Sequence, residues 1–162
     1  MGRCMPAGNS RPRQRGFTYL LVMAMVAILG VGLAALGPVW ADAVQREREQ
    51  ELLRVGELYA RAIGNYRAAS PGSVKRYPAE LSDLLQDHRF VGTRRHLRKL
   101  YADPLNPGRN WALIRAADGG VAGVYSQDER LPFARTAQQV GVVQLPAAQR
   151  YSDWKFMPKE TP

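Results

Sequence analysis

Residues 17–40 read FTYLLVMAMVAILGVGLAALGPVW, and these 24 positions contain no Asp, Glu, Lys, Arg or His. At about 1.5 Å of rise per residue, a helix of this length measures about 36 Å, which exceeds the roughly 30 Å hydrocarbon core of a bilayer. A buried helix of a soluble protein rarely stays this apolar for so long. The run therefore predicts a transmembrane helix.

The charges on the two sides of this run differ. The chain has a formal net charge of +9, and residues 1–16 contribute four arginines and no acid to it. Residues 42–54, directly after the run, hold three arginines against four acidic side chains. Because basic residues accumulate on the cytoplasmic flank of a membrane helix, this asymmetry predicts a cytoplasmic N-terminus and a C-terminal part across the membrane. It also accounts for part of the basic excess without nucleic acid.

The sequence divides into four segments on this basis. We expect a basic leader at residues 1–16, a transmembrane helix at 17–40, an amphipathic helix at 41–69 and a folded domain at 70–162. The single cysteine, Cys4, lies in the leader, which excludes a disulfide within the chain and a cysteine metal site.

The junction between leader and helix reads RQRGFTYLL over residues 13–21. It resembles the N-terminal signature of type IV prepilins and type II secretion pseudopilins. The resemblance implies that a prepilin peptidase cuts after Gly16 and methylates the new amine of Phe17. It also implies a single-pass protein of the bacterial inner membrane with a periplasmic domain. Such a subunit assembles with other pseudopilins, on a secretion platform, into a periplasmic pseudopilus.

Two positions of the helix, Leu21 and Pro38, concern filament assembly in the family that the sequence resembles. The family usually has Glu as its fifth mature residue, where it is thought to neutralise the amine of a neighbouring subunit, and this chain has Leu21 instead. The departure favours a minor or tip subunit, or a divergent branch. Pro38 lacks the N–H that a helix needs, and pilin helices can unwind at a corresponding place. Membrane helices also simply tolerate proline, so both interpretations of Pro38 stay open.

Beyond the membrane the pattern predicts an α+β fold. The long helix continues as an amphipathic segment and ends at the Ser-Pro-Gly-Ser of residues 70–73, with Glu49 and its charged neighbours on the solvated face. We expect short helices at residues 77–85 and 94–101, two antiparallel strands at 111–114 and 121–125, an edge strand at 151–156 and an irregular loop between the last two. This order of elements also resembles the pilin-like fold of pseudopilins. The apolar stripe predicted to pack on the domain comprises Leu52, Val55, Leu58, Tyr59, Ala62, Ile63 and Tyr66.

A basic run is the most pronounced charged feature of the domain. On the helix expected at residues 94–101, Leu97, Leu100 and Tyr101 would turn inward and the basic side chains would share one face. Such a face is by default solvated, but it can contact an acidic neighbour, lipid headgroups or, as the weaker alternative, DNA. The run consists of Arg94, Arg95, Arg98 and Lys99.

The remaining polar residues give no sign of an active site. His88 and His96 lie in a basic stretch, without an acid or cysteine at metal-ligand spacing. Asp118, Asp128 and Glu129 do not have the spacing of a calcium loop. Phosphate loops and nucleophile elbows are not recognisable. We therefore expect neither an enzyme nor a cofactor or metal.

Three functions remain after these exclusions. The first is a pseudopilin of a type II secretion system, which the resemblance favours. The second is a minor type IV pilin of a pilus or DNA-uptake system. The third is a signal-anchored periplasmic binding domain that never polymerises. Apart from these classes, the small residues Ala41 and Ala43 offer a conventional cleavage site after the apolar run, but the run is too long for the core of an ordinary signal peptide.

Overall fold

The computed structural model describes residues 15–159, without the side chains of residues 15 and 34–39. The chain divides into two compact units, Met1–Ala43 and Val44–Pro162. An α-helix, α1, spans Arg15–Ala68 and supplies residues to both units. Small antiparallel sheets follow it in the second unit. The α+β class predicted from the sequence is therefore confirmed.

In the first unit, α1 carries no charged side chain between Gly16 and Ala41. The segment Gly16–Leu33 is long and apolar enough to cross a membrane, and the protein buries none of it. The predicted helix is confirmed, and its length and composition are compatible with a single-pass anchor. Pro38 falls within α1, and its side chain lies outside the described residues.

In the second unit, one face of α1 forms one side of the hydrophobic core. The predicted stripe is buried at Leu52, Val55, Tyr59, Ala62, Ile63 and Tyr66, while Leu58 is half-buried. The core is completed from the C-terminal half of the chain by large side chains with almost no exposure, including Trp111, Tyr151, Trp154 and Phe156. The helix ends at Ala68, just before Ser70-Pro71, as the sequence predicts.

Two antiparallel hairpins follow this helix in the chain. Strands β1 (Ala112–Arg115) and β2 (Val121–Tyr125) pair antiparallel, which confirms the predicted hairpin. Strands β3 (Gln138–Val140) and β4 (Val143–Leu145) form a second pair where the sequence predicted an irregular loop. Its two-residue turn depends on Gly141, whose φ of 54° is readily adopted by glycine. The alternation of Val143, Gln144 and Leu145 after this glycine was the missed signal.

The segment after β4 is only partly the edge strand that was predicted. Tyr151–Asp153 forms a short 3₁₀ helix, and pairing is limited to a single antiparallel bridge between Phe156 and Val124. The carboxylate of Asp153 accepts hydrogen bonds from the backbone N–H groups of Arg150 at 3.0 Å and Gln149 at 3.3 Å. These bonds turn the chain before it can extend along β2.

The two short helices predicted earlier in the domain also differ from the structure. The first shrinks to a 3₁₀ helix at Leu81–Leu84, started by Asp83, which accepts from the N–H of Ala79 at 3.0 Å. The second, at residues 94–101, is wrong, because the described backbone there is irregular. The carbonyl of Leu84 accepts from the N–H groups of both His96 and Leu97 at 2.9 Å, which removes these donors from any local helix.

Candidate functional site

The predicted processing junction lies at the beginning of α1. Gly16 is the second residue of the helix, and a Cβ placed on it would meet nothing within 4 Å outside its own helical turn. Phe17 is 75% exposed. The described part of the chain therefore leaves both residues accessible, and the first turn of a helix opens easily because its N–H groups lack helical partners.

Leu21 lies one helical turn beyond Phe17, so the two side chains share a face. Leu21 is 58% exposed, and its neighbours along the segment are exposed apolar residues. Asp42 is the first acidic residue of the chain. An amine at Phe17 thus finds no carboxylate of its own chain within the uncharged run.

The structure places the predicted basic run on an exposed loop instead of a helix. Arg94, Arg95, Arg98 and Lys99 are all exposed, and none has a carboxylate within 4 Å among the described residues. Leu97 is buried as predicted, but Leu100 is 47% exposed. The single cationic helix face is therefore a wrong prediction, although the local excess of positive charge is real.

This loop is fixed to α1 by a buried ion cluster that the sequence did not indicate. The carboxylate of Asp87 is fully buried and accepts from the guanidinium of Arg89 at 2.7 and 2.8 Å. The same guanidinium donates to the carbonyl of Tyr66 at 2.8 Å and to the hydroxyl of Ser70 at 2.7 Å. Arg89 therefore ties the loop to the last turn of the helix.

His96 completes this cluster. Its Nε2 lies 3.1 Å from the Asp87 carboxylate, a contact that the sequence did not indicate. The hydrogen bonds from Arg89, opposed by burial and reinforced by His96, hold the pKa of Asp87 well below its usual range. In the part of the chain that the structure describes, no three His, Cys, Asp or Glu side chains converge to hold a metal ion.

A second buried carboxylate, Glu49, links α1 to the C-terminal half of the domain. It accepts from the N–H groups of Phe133 at 2.7 Å and Ala134 at 3.0 Å, and from the hydroxyl of Tyr151 at 2.7 Å. Glu49 was predicted on the solvated face, and that prediction is wrong. Position 49 lies three residues before Leu52, so it belongs to the buried stripe. The signal was therefore present in the spacing.

Burial around this carboxylate affects Tyr151. Removal of the ring from water raises the pKa of Tyr151 to about 12, and the nearby Glu49 acts in the same direction. Gln45 donates to the same hydroxyl at 3.3 Å. The hydroxyl therefore stays protonated and donates to Glu49 throughout the physiological pH range.

The three acids considered for calcium do not converge. Asp118 accepts from the N–H of Gly120 within its turn at 3.0 Å. Asp128 pairs with Arg130 at 2.6 Å, and Glu129 lies 3.7 Å from Arg150. Each of the three carboxylates therefore contacts a different partner, and they do not form a common site.

An open groove of about 580 Å³ runs beside the C-terminal end of α1. Lys75 lies on it, but its ammonium donates to the carbonyls of Ala68 at 3.2 Å and Ser70 at 3.3 Å, which satisfies acceptors at the helix end. Arg61 in the same groove pairs with Glu57. These cations therefore stabilise the helix and do not converge on a ligand.

Comparison with known proteins adds no family to these observations. No protein-family model matches the chain, and neither the curated proteins nor the solved structures contain a significant match.

Proposed function

We propose that this chain is a prepilin-type subunit, processed after Gly16 and stored in the membrane through α1 before it assembles into a filament. One observation carries the proposal: an uncharged and fully uncovered helical segment, Gly16–Leu33, begins directly at an Arg-Gly-Phe-Thr junction. A helix surface of this size must be covered by lipid or by other apolar surfaces. A filament of packed helices and a bilayer are the two environments that a prepilin occupies in turn.

The system best supported is type II secretion, with the pseudopilus as the filament and the folded domain in the periplasm. Its partners would be prepilin peptidase, other pseudopilins and the assembly platform of the inner membrane. Leu21 favours a minor or tip position, because a subunit without the carboxylate cannot neutralise the amine of a neighbour within a low-dielectric helix bundle. No reaction chemistry is assigned to the subunit itself.

The experiment is co-expression of the full chain with and without a prepilin peptidase, followed by intact-mass measurement. We expect the peptidase to remove residues 1–16 and to add one methyl group. Gly16→Val should block the cut, and since a Cβ at Gly16 has open space, the variant should leave the fold unchanged. Gly32→Val is the matched control, because its site is equally open and lies inside the apolar segment. If the peptidase leaves the wild-type chain intact, the proposal is wrong.

A further inference from the structure

The second unit carries a small exposed apolar patch. It lies in space near the first residues of that unit, although it comes much later in the sequence. Leu131 is 48% exposed and Phe133 is 37% exposed, and the two flank the buried Pro132. Exposed apolar side chains gain free energy when a partner covers them. We define Leu131 and Phe133 as the apolar patch.

The apolar patch is held on α1 by specific contacts. The N–H of Phe133 donates to the buried carboxylate of Glu49 at 2.7 Å. The guanidinium of Arg46 lies over the Phe133 ring, 4.7 Å from its centre. The patch is therefore fixed beside residues 46–49 of the helix and is not a mobile loop tip.

The covalent chain limits how far this patch can be from the apolar run. Arg46 follows Trp40, the last residue of the uncharged run, by six residues. Six residues span at most about 20 Å even when fully extended. Trp40 is 77% exposed, and tryptophan is enriched at the interface between lipid and water. If the run is in a bilayer, as the proposed function requires, the lipid surface lies within reach of the patch.

The exposed charges beside the apolar patch are of both signs, and two of the arginines can contact an anionic surface. Arg46 and Arg135 are exposed, and neither has a carboxylate within 4 Å among the described residues. Arg130, by contrast, is paired with Asp128. Apolar side chains that enter the headgroup region and arginines that contact lipid phosphates form the usual combination of interfacial anchors.

We propose that Leu131 and Phe133, with Arg46 and Arg135, dock the folded domain on the anionic lipid surface of the membrane that anchors α1. The tether raises the local concentration of lipid surface, so a small patch is sufficient for binding. In this docked state the subunit keeps one side of its domain on the membrane. Assembly into a filament must then release the patch from lipid.

The test places an environment-sensitive fluorophore on single cysteines of the full-length chain, after Cys4→Ser removes the native thiol. The three labelled variants are Leu131→Cys in the patch, Val91→Cys as a fully exposed control in the same unit, and Ile28→Cys in the apolar run. Each is reconstituted into phosphatidylcholine–phosphatidylglycerol vesicles that carry spin-labelled lipids, with the spin label at either the headgroup or the acyl chain.

We expect severalfold stronger quenching by the headgroup spin label at position 131 than at position 91. Arg46→Gln with Arg135→Gln should reduce the quenching at 131 in the anionic vesicles and leave it unchanged in vesicles of phosphatidylcholine alone. Quenching at 131 should also be independent of the ratio of protein to lipid.

Three outcomes would overturn the docking. If quenching is equal at positions 131 and 91 while Ile28→Cys is quenched by the acyl-chain label, the helix spans the membrane but the domain does not dock on it. Absence of quenching at position 28 removes the membrane helix and the docking together. Quenching at 131 that changes with the protein-to-lipid ratio shows that a second copy of the chain covers the patch instead.

Discussion

The ring of Phe156 packs directly against the backbone of Gly56. A Cβ placed on Gly56 would lie 2.5 Å from the Cγ of Phe156, and both residues are buried. Phe156 also forms the backbone bridge to Val124 in β2. This contact therefore brings the C-terminal segment, the first hairpin and α1 together at one point, where only a glycine lets the ring approach the helix.

Gly56→Ala should destabilise the second unit, although alanine is normally the better helix former. We expect a loss of about 1–3 kcal/mol, because the added methyl group overpacks the contact with Phe156. Thermal unfolding followed by tryptophan fluorescence measures the effect. Gly92→Ala is the control, since a Cβ at Gly92 meets nothing within 4 Å. Equal unfolding midpoints for the two variants would contradict the packing described.

Glu49→Ala should loosen the loop that contains the apolar patch. The change leaves the partly buried N–H groups of Phe133 and Ala134 without their acceptor, and each such loss costs about 1 kcal/mol. Hydrogen exchange at these two amides should accelerate strongly. Glu47→Ala, at an exposed position two residues earlier, should leave both rates as they are. Unchanged protection in Glu49→Ala would show that another group holds the loop.

The buried Asp87 predicts a specific dependence of stability on pH. Its folded-state pKa is depressed, so its stabilisation is fully present above the ordinary aspartate pKa of about 3.9 and is lost as the pH falls below that value. Asp87→Asn should therefore be less stable than the wild type near neutral pH, with a smaller loss of stability on acidification. The measurement is the unfolding midpoint from neutral pH to below pH 4. Glu129→Gln, at an exposed carboxylate, should follow the wild-type curve.

Arg89 and Arg95 should respond differently to the same conservative change. Arg89→Lys loses the paired contact to Asp87 and the bonds to Tyr66 and Ser70, which we expect to cost about 1–3 kcal/mol. Arg95→Lys should change the free energy of unfolding by less than about 0.5 kcal/mol, because Arg95 is exposed. Denaturant titration of both variants gives the comparison. A large effect at Arg95 would indicate a structural role for the basic loop.

The elements that the sequence predicted well are those with a strong local pattern. The uncharged run is recognised by its unbroken length, and the apolar stripe of α1 and the first hairpin by their spacing, so local physics decides all three. The helix predicted at residues 94–101 does not form, because the N–H groups of His96 and Leu97 donate to the carbonyl of Leu84, more than ten positions earlier in the chain. The Asp87–His96 pair was hidden for the same reason, since nothing in a nine-residue spacing indicates a contact.

Processing after Gly16 can be measured on the protein from the cells that make it. Mass spectrometry of the N-terminal peptide, from chain purified out of isolated membranes, reports which residue begins the mature protein. We expect a chain that begins at Phe17 with a methylated amine. A chain that begins at residue 1, or one that begins after a cut near Ala41 or Ala43, would contradict it.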